Sequence, residues 1–226
     1  MVRRAAIATS AVASTALLAG SLGHRLPLDP TEVLGFLTGA IAVWLTVKQN
    51  VWNWPVGIAN SVFYLILFFQ ARLFADASLQ SVYIVLGFLG WYWWVYAGQG
   101  RTELPVSRTT PRLILALLLI IACSTIAMTM FLVRVQDAAP FWDALTTVMS
   151  LIAQFMLTRK LLENWLVWMA ADVIYIGLYL SRGLVLTSVL YGVYLAMCIA
   201  GFVEWRISLR GRSDRVMSVP VEAAVV

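Results

Sequence analysis

Asn53-Trp-Pro-Val-Gly-Ile-Ala-Asn-Ser-Val-Phe-Tyr64 returns in the second half of the chain as Asn164-Trp-Leu-Val-Trp-Met-Ala-Ala-Asp-Val-Ile-Tyr175. The register holds without a gap over Glu32–Trp94 and Asp143–Trp205. Trp54 falls on Trp165, Tyr64 on Tyr175, Tyr83 on Tyr194, Gly90 on Gly201 and Trp94 on Trp205. Leu67, Leu73 and Leu79 fall on Leu178, Leu184 and Leu190. Periods of roughly 20–50 residues indicate solenoids, whereas one long copy points to two half-molecules facing each other. In an apolar chain, two such halves predict a transporter with its substrate between them.

The chain is apolar. It is 62% hydrophobic and 12% charged, with a mean hydropathy of +0.86. Soluble domains carry about twice that charged share. A helix needs about 20 mostly apolar residues to cross a bilayer. Seven stretches qualify as expected spans: Val33–Val47, Trp54–Phe69, Ala77–Tyr96, Leu113–Val133, Phe141–Leu157, Trp165–Leu180 and Val185–Trp205. The expected fold is an all-α integral membrane domain with a 3+1+3 order. Three is odd, so directly fused copies would point in opposite directions, and the unmatched fourth helix restores parallel repeats. The boundaries follow: an N-terminal segment at 1–30, a first repeat at 31–98, a link and connecting helix at 99–140, a second repeat at 141–206 and a polar tail at 207–226. Pro105 and Pro111 mark the link from Gly98 to Arg112 as a hinge or spacer.

The net charge of +5 would suit nucleic acid, but its placement reads as topology instead. Lys48, Arg101, Arg108, Arg112, Arg159, Lys160, Arg206, Arg210, Arg212 and Arg215 gather on one side. Arg25, Arg72, Arg134 and Arg182, with Arg3 and Arg4, fall on the other, a split of ten to six. The positive-inside rule then places the C-terminus in the cytoplasm and Thr31 outside. Residues 1–23 match either a signal peptide or an extra helix. The extra helix is the expectation, because it moves Arg3 and Arg4 inside and sharpens the split to 12 against 4. Cys123 and Cys198 sit within spans and read as small core residues. His24 lies in a link and forms no ligand cluster, so no metal or other cofactor is expected.

The sixth span carries the chemistry. Trp165, Trp168, Asp172, Tyr175 and Tyr179 follow one another at helical spacing and share a face. Asp172 lies seven residues past Trp165, about 10 Å deep at ~1.5 Å per residue. A carboxylate near the midplane is costly and marks a site by default, although a helix–helix hydrogen bond would also explain it. Aromatic faces over a carboxylate suit a flat cationic ring. Tyr64 in the second span, Tyr83 in the third and Tyr194 in the seventh extend the aromatic wall. Asn60, Gln80, Gln154 and Tyr191 bring amide and phenol groups for sugar hydroxyls. Gly87 and Gly90 fit close helix packing as well as any function. Trp52, Trp91, Trp93, Trp94 and Trp205 lie near span ends, where interfacial anchoring is the ordinary reading.

At these residues the chain resembles the PnuC family of bacterial vitamin uptake transporters. The resemblance covers about Glu32 to Arg206. It is carried by Trp52-Asn-Trp-Pro-Val-Gly-Ile-Ala-Asn60, Leu73-Phe-Ala-Asp-Ala-Ser-Leu-Gln80-Ser-Val-Tyr83 and Gly90-Trp-Tyr-Trp-Trp94. In the second half it is carried by Glu163-Asn-Trp-Leu-Val-Trp168-Met-Ala-Ala-Asp172 and Leu190-Tyr-Gly-Val-Tyr194. The resemblance implies a SWEET-like pseudo-symmetric fold, a homotrimer, and uptake of nicotinamide riboside, an NAD precursor, by facilitated diffusion. A cytoplasmic kinase would trap the substrate without stable binding. The family's Trp-x-x-Trp-x-x-x-Asn/Asp pattern lands on Trp165, Trp168 and Asp172. Thiamine or riboflavin transport on the same architecture is the alternative.

Other classes fit less well. An enzyme would need clustered His or carboxylates, or a nucleophile beside a base, and Asp172 alone supplies no acid–base pair. No Walker A sequence is present for ATP hydrolysis. A non-transport membrane assembly subunit would not need a buried acid beside two tryptophans.

Overall fold

The structure is a computed structural model that describes residues 30–183 and 185–217. The readings made of residues 1–23 and of the last nine residues lie outside them. The described residues form α1 (Pro30–Val47), α2 (Asn53–Gln70), α3 (Phe74–Tyr96), α4 (Pro111–Arg134), α5 (Pro140–Thr158), α6 (Asn164–Ser181) and α7 (Val185–Met217). Each expected span lies on one of them. α7 runs on past Trp205 to Met217, so the polar stretch after the seventh span extends the helix before the chain leaves the described region.

Local chemistry sets the ends. Pro111 and Pro140 occupy first-turn positions, where their missing N–H is not needed. The Thr110 hydroxyl accepts from Leu113 N at 3.4 Å and caps α4. Left-handed residues stop the others: Gln49 (φ 54°) after α1 and Lys160 (φ 54°) after α5, Arg72 (φ 61°) after α2 and Gly183 (φ 75°) after α6. Each pair keeps the register that relates Asn53 to Asn164, so the repeat extends to the turns. Only at Gly183 does glycine relieve the steric cost.

The two halves pack alike. α2 lies on α3 as α6 lies on α7, and the halves meet where α1 touches α7 and α3 touches α5. α4 leans on α5. Trp94 Nε1 donates to Leu157 O at 3.0 Å across the interface; its repeat copy, Trp205 Nε1, donates to Thr46 O at 3.1 Å. Arg159 lies 4.1 Å over the Trp93 ring, while the copies of these residues, Lys48 and Glu204, form an ion pair at 3.6 Å. Trp94 and Trp205 are therefore core residues, 2% and 0% exposed, and not interfacial anchors. Trp52, 64% exposed, keeps that reading.

Polarity is inverted relative to a soluble protein. α4 turns Leu115, Leu118, Leu119, Ile126, Met130 and Phe131 outward, each exposed. α4, α5, α6 and α7 are long and apolar enough to cross a membrane; α1 offers a shorter apolar run. α2 and α3 carry polar residues such as Asn53, Asn60, Ser61 and Gln80. Among the described residues, the bundle is that of a multi-pass membrane protein.

The link after α3 differs from the expected spacer. Leu104 N bonds Trp94 O at 2.9 Å, Ser107 N bonds Lys160 O at 3.2 Å and Leu162 N bonds Ser107 O at 2.9 Å. The Thr109 amide and hydroxyl both donate to Glu163 Oε2, at 2.8 and 2.7 Å. Val106 and Thr109 are buried. A segment with this many fixed backbone partners is a strap across the α5–α6 turn.

Candidate functional site

Between the halves lies a cavity of about 550 Å³, within the range of small-molecule sites. Its lining comes from α1, α2, α3, α5, α6 and α7. Asn60, Tyr64, Gln80 and Tyr83 line it from the first half. Gln154, Trp165, Trp168, Asp172, Tyr175, Tyr191 and Tyr194 line it from the second. The structure thus gathers every expected site residue around one space.

The residues do different jobs there. Trp165 is 2% exposed and wedged edge-on against Trp205, ring centroids 5.4 Å apart. Trp54 meets Trp94 the same way at 5.3 Å. Each ring lies over a glycine: a Cβ on Gly201 would sit 2.5 Å from the Trp165 ring, and one on Gly90 would strike Trp54. Packing therefore accounts for Gly90 and Gly201. Trp168, one turn further along α6, is only partly buried.

Asp172 is 5% exposed. Cys198 Sγ donates to its Oδ2 at 3.4 Å, so Cys198 belongs to the cavity wall and not only to the core. The repeat matches Ser61 to Asp172 and Gly87 to Cys198, so this carboxylate–thiol pair has no copy in the first half, whose acidic residue on the cavity is Asp76 of α3.

Tyrosines knit the walls. Tyr83 Oη donates to Ser150 Oγ at 2.7 Å, tying α3 to α5. Tyr194 Oη, its copy, bonds Phe36 O of α1 at 3.4 Å. Tyr175 bonds Thr146, while Tyr64, its copy, presses its hydroxyl on Gly35. Tyr191 packs on Tyr175 and Tyr179, with centroids 4.7 and 5.3 Å apart, toward the end of the cavity near Phe68 and Asp76.

The amides are not equivalent. Asn60 Nδ2 is engaged with α1, donating to Gly35 O at 2.8 Å and Thr38 Oγ1 at 2.7 Å, which leaves its oxygen for the cavity. The side-chain amides of Gln80 and Gln154 have no hydrogen-bond partner among the described residues. Asn53, Asn164 and Ser150 also line the cavity, outside the expected set. The signal for the two asparagines was present: each precedes a repeated tryptophan, at matching positions of the two halves.

Beyond the cavity, Lys160 is buried over the Trp94 ring, its nitrogen 4.4 Å from the centroid. Burial pushes its ammonium down to about 8, partly offset by the charge of Glu103. Among the described residues, no cluster of His, Cys, Asp and Glu could hold a metal.

The chain was compared with known proteins. It is 28% identical over 213 residues to the nicotinamide riboside transporter PnuC of Escherichia coli, covering 83% of this chain and 89% of that protein. It is 25% identical over 192 residues to the riboflavin/roseoflavin transporter RibM of Streptomyces davaonensis, covering 81% and 87%. A crystal structure of the vitamin B3 transporter PnuC superposes with a TM-score of 0.66 at 21% identity, covering 88% of this chain and 91% of that one; the fold is shared. The family model described as nicotinamide mononucleotide transporter matches residues 29–207, nearly the whole bundle, and the chain belongs to that family.

Proposed function

We propose that this protein takes up nicotinamide riboside across the bacterial cytoplasmic membrane by facilitated diffusion, through the cavity between its halves. The observation that carries the reading is the wall formed by Trp168 and Asp172. A partly open indole face stands one turn from a carboxylate whose second oxygen has no hydrogen-bond partner among the described residues, in a space of ligand size. A pyridinium ring matches both, by cation–π attraction and by charge. The PnuC relatives, named for nicotinamide riboside, support the same ligand. Gln80 and Gln154 are placed to meet ribose hydroxyls. The halves are parallel repeats with the site near the midplane, the C-terminus lies in the cytoplasm, and the protein works as a homotrimer. A cytoplasmic kinase traps the product of transport. A reporter fused at the C-terminus and active only outside the membrane would reverse the topology.

A second reading has a specific observation behind it: the RibM relative is named for riboflavin. Asp172 favours the cationic ligand over this neutral one. The deciding experiment is uptake of labelled nicotinamide riboside, riboflavin and thiamine into liposomes holding only this protein. Nicotinamide riboside should equilibrate with its own gradient, indifferent to proton or sodium gradients. Preference for riboflavin or thiamine would replace the substrate, and concentrative uptake driven by either ion would make Asp172 a coupling residue.

A further inference from the structure

The end of the cavity near Asn53 and Asn164 holds polar groups that packing does not use. Asn53, Trp54, Asn164 and Trp165 line it and are 4%, 3%, 0% and 2% exposed. Each asparagine anchors its amide nitrogen within the protein, Asn53 Nδ2 on Thr46 Oγ1 and Asn164 Nδ2 on Leu161 O. The amide oxygens of both, and the indole N–H groups of Trp54 and Trp165, have no partner among the described residues. Buried polar groups are nearly always paired, and an unmet one is costly. The neighbouring indoles Trp94 and Trp205 do find carbonyls. A packing accident would not recur at the same position of both halves. Two acceptors and two donors on residues lining one cavity ask for a ligand group that offers both.

We propose that this layer is the subsite for a planar donor–acceptor head, and that the head is the ligand's primary carboxamide. The proposal rests on the nicotinamide riboside reading and extends it to the other end of the ring. The amide N–H groups donate to Asn53 Oδ1 or Asn164 Oδ1, and the carbonyl accepts from Trp54 or Trp165 Nε1. Asn53 and Asn164 open α2 and α6, so the partial positive ends of two helices back the carbonyl oxygen. Trp165 precedes Trp168 by three residues, about 4.5 Å of helix, comparable to the reach from a pyridinium ring to its substituent. The carboxamide therefore meets this layer while the ring lies against Trp168. The layer is buried, so a head that lacks the donor is discriminated against.

The test is calorimetry with nicotinamide riboside and with acetylpyridine riboside, which keeps the charge, shape and carbonyl but replaces the amino group with methyl. The wild-type protein should prefer nicotinamide riboside by at least about tenfold. Asn53→Leu and Asn164→Leu remove the acceptors, and at least one should shrink that preference to less than about threefold. Trp54→Phe and Trp165→Phe should weaken both ligands alike, by about three- to tenfold, because both carry the carbonyl. Equal binding of the two ribosides by the wild type, which no misfolded variant can mimic, overturns the subsite and leaves the substrate reading intact. So does a preference unchanged in both asparagine variants. If the wild type binds neither riboside, the substrate reading falls and the subsite with it.

Discussion

At the scale of single residues, the cavity separates side chains that hold it from side chains that face a ligand. Trp168→Ala removes an exposed indole face and should cost ~0.5–2 kcal/mol in binding, a several-fold to about thirtyfold loss of affinity by calorimetry. Asp172→Asn preserves hydrogen-bonding shape but not charge; it should weaken nicotinamide riboside more than neutral riboflavin. Unchanged binding in both variants would reduce the stripe to helix packing. The glycines offer a stability contrast. Gly201→Ala drives a methyl against the Trp165 ring and should lose about 1–3 kcal/mol on unfolding. Gly177, with nothing within 4 Å of its missing Cβ, should accept Ala with a gain of up to ~1 kcal/mol from helix propensity. The Trp165 stripe was legible from i, i+3, i+7 spacing. The burial of Trp94 and Trp205 was not, because a tryptophan near a span end looks the same whether it faces headgroups or the opposite half.

Among the elements, the strap after α3 is the clearest departure from the pattern of the sequence. Pro105, Pro111 and the flanking charges read as a loose connection, since prolines withhold donors from helices and sheets. They say nothing of a single parallel bridge to the α5–α6 turn, which depends on where that turn lies in space. The strap also covers Lys160, and this has a pH consequence. The ordinary value for a lysine is 10.5, and burial moves Lys160 to about 8. Below about 8 both folded and unfolded chains carry the charge, and the cost of burying it is felt in full. Between about 8 and 10.5 the unfolded chain still holds a proton that the folded protein has released, so stability should rise with pH across that window. Thermal unfolding in detergent should show that rise in the wild type relative to Lys160→Met. A parallel pH dependence in the two proteins would mean that Lys160 sits in water.

For the molecule as a whole, the interface between halves is built from repeat copies. Trp94→Phe and Trp205→Phe each delete one indole–carbonyl bond and keep a ring against its neighbour. Each should lose about 0.5–1.5 kcal/mol of stability, by similar amounts, because the bonds they remove are equivalent. A loss confined to one variant, measured by unfolding, would show that the halves carry unequal load. Some cavity positions break this symmetry: the repeat matches Asp172 to Ser61, Trp168 to Gly57 and Cys198 to Gly87. The paired Trp94 and Trp205 join the two halves, and the positions that break the repeat line the cavity.

The amino-acid sequence alone determined the membrane class, the seven helices and the family. Those follow from composition, apolar run length and an internal register, all of which are local or additive along the chain. It also nominated eleven of the cavity residues, since helical periodicity decides which side chains share a face. Only the tertiary structure decided which of them have free groups. Asn60 lends its amide nitrogen to α1, Trp165 its ring to Gly201, and Cys198 its thiol to Asp172. Such partnerships join residues on separate helices, up to 159 positions apart for Trp205 and Thr46, and depend on which faces meet after packing. The unpartnered oxygens and N–H groups of Asn53, Asn164, Trp54 and Trp165 belong to the same category: a polar atom is left without a partner only once every neighbouring helix has taken its place.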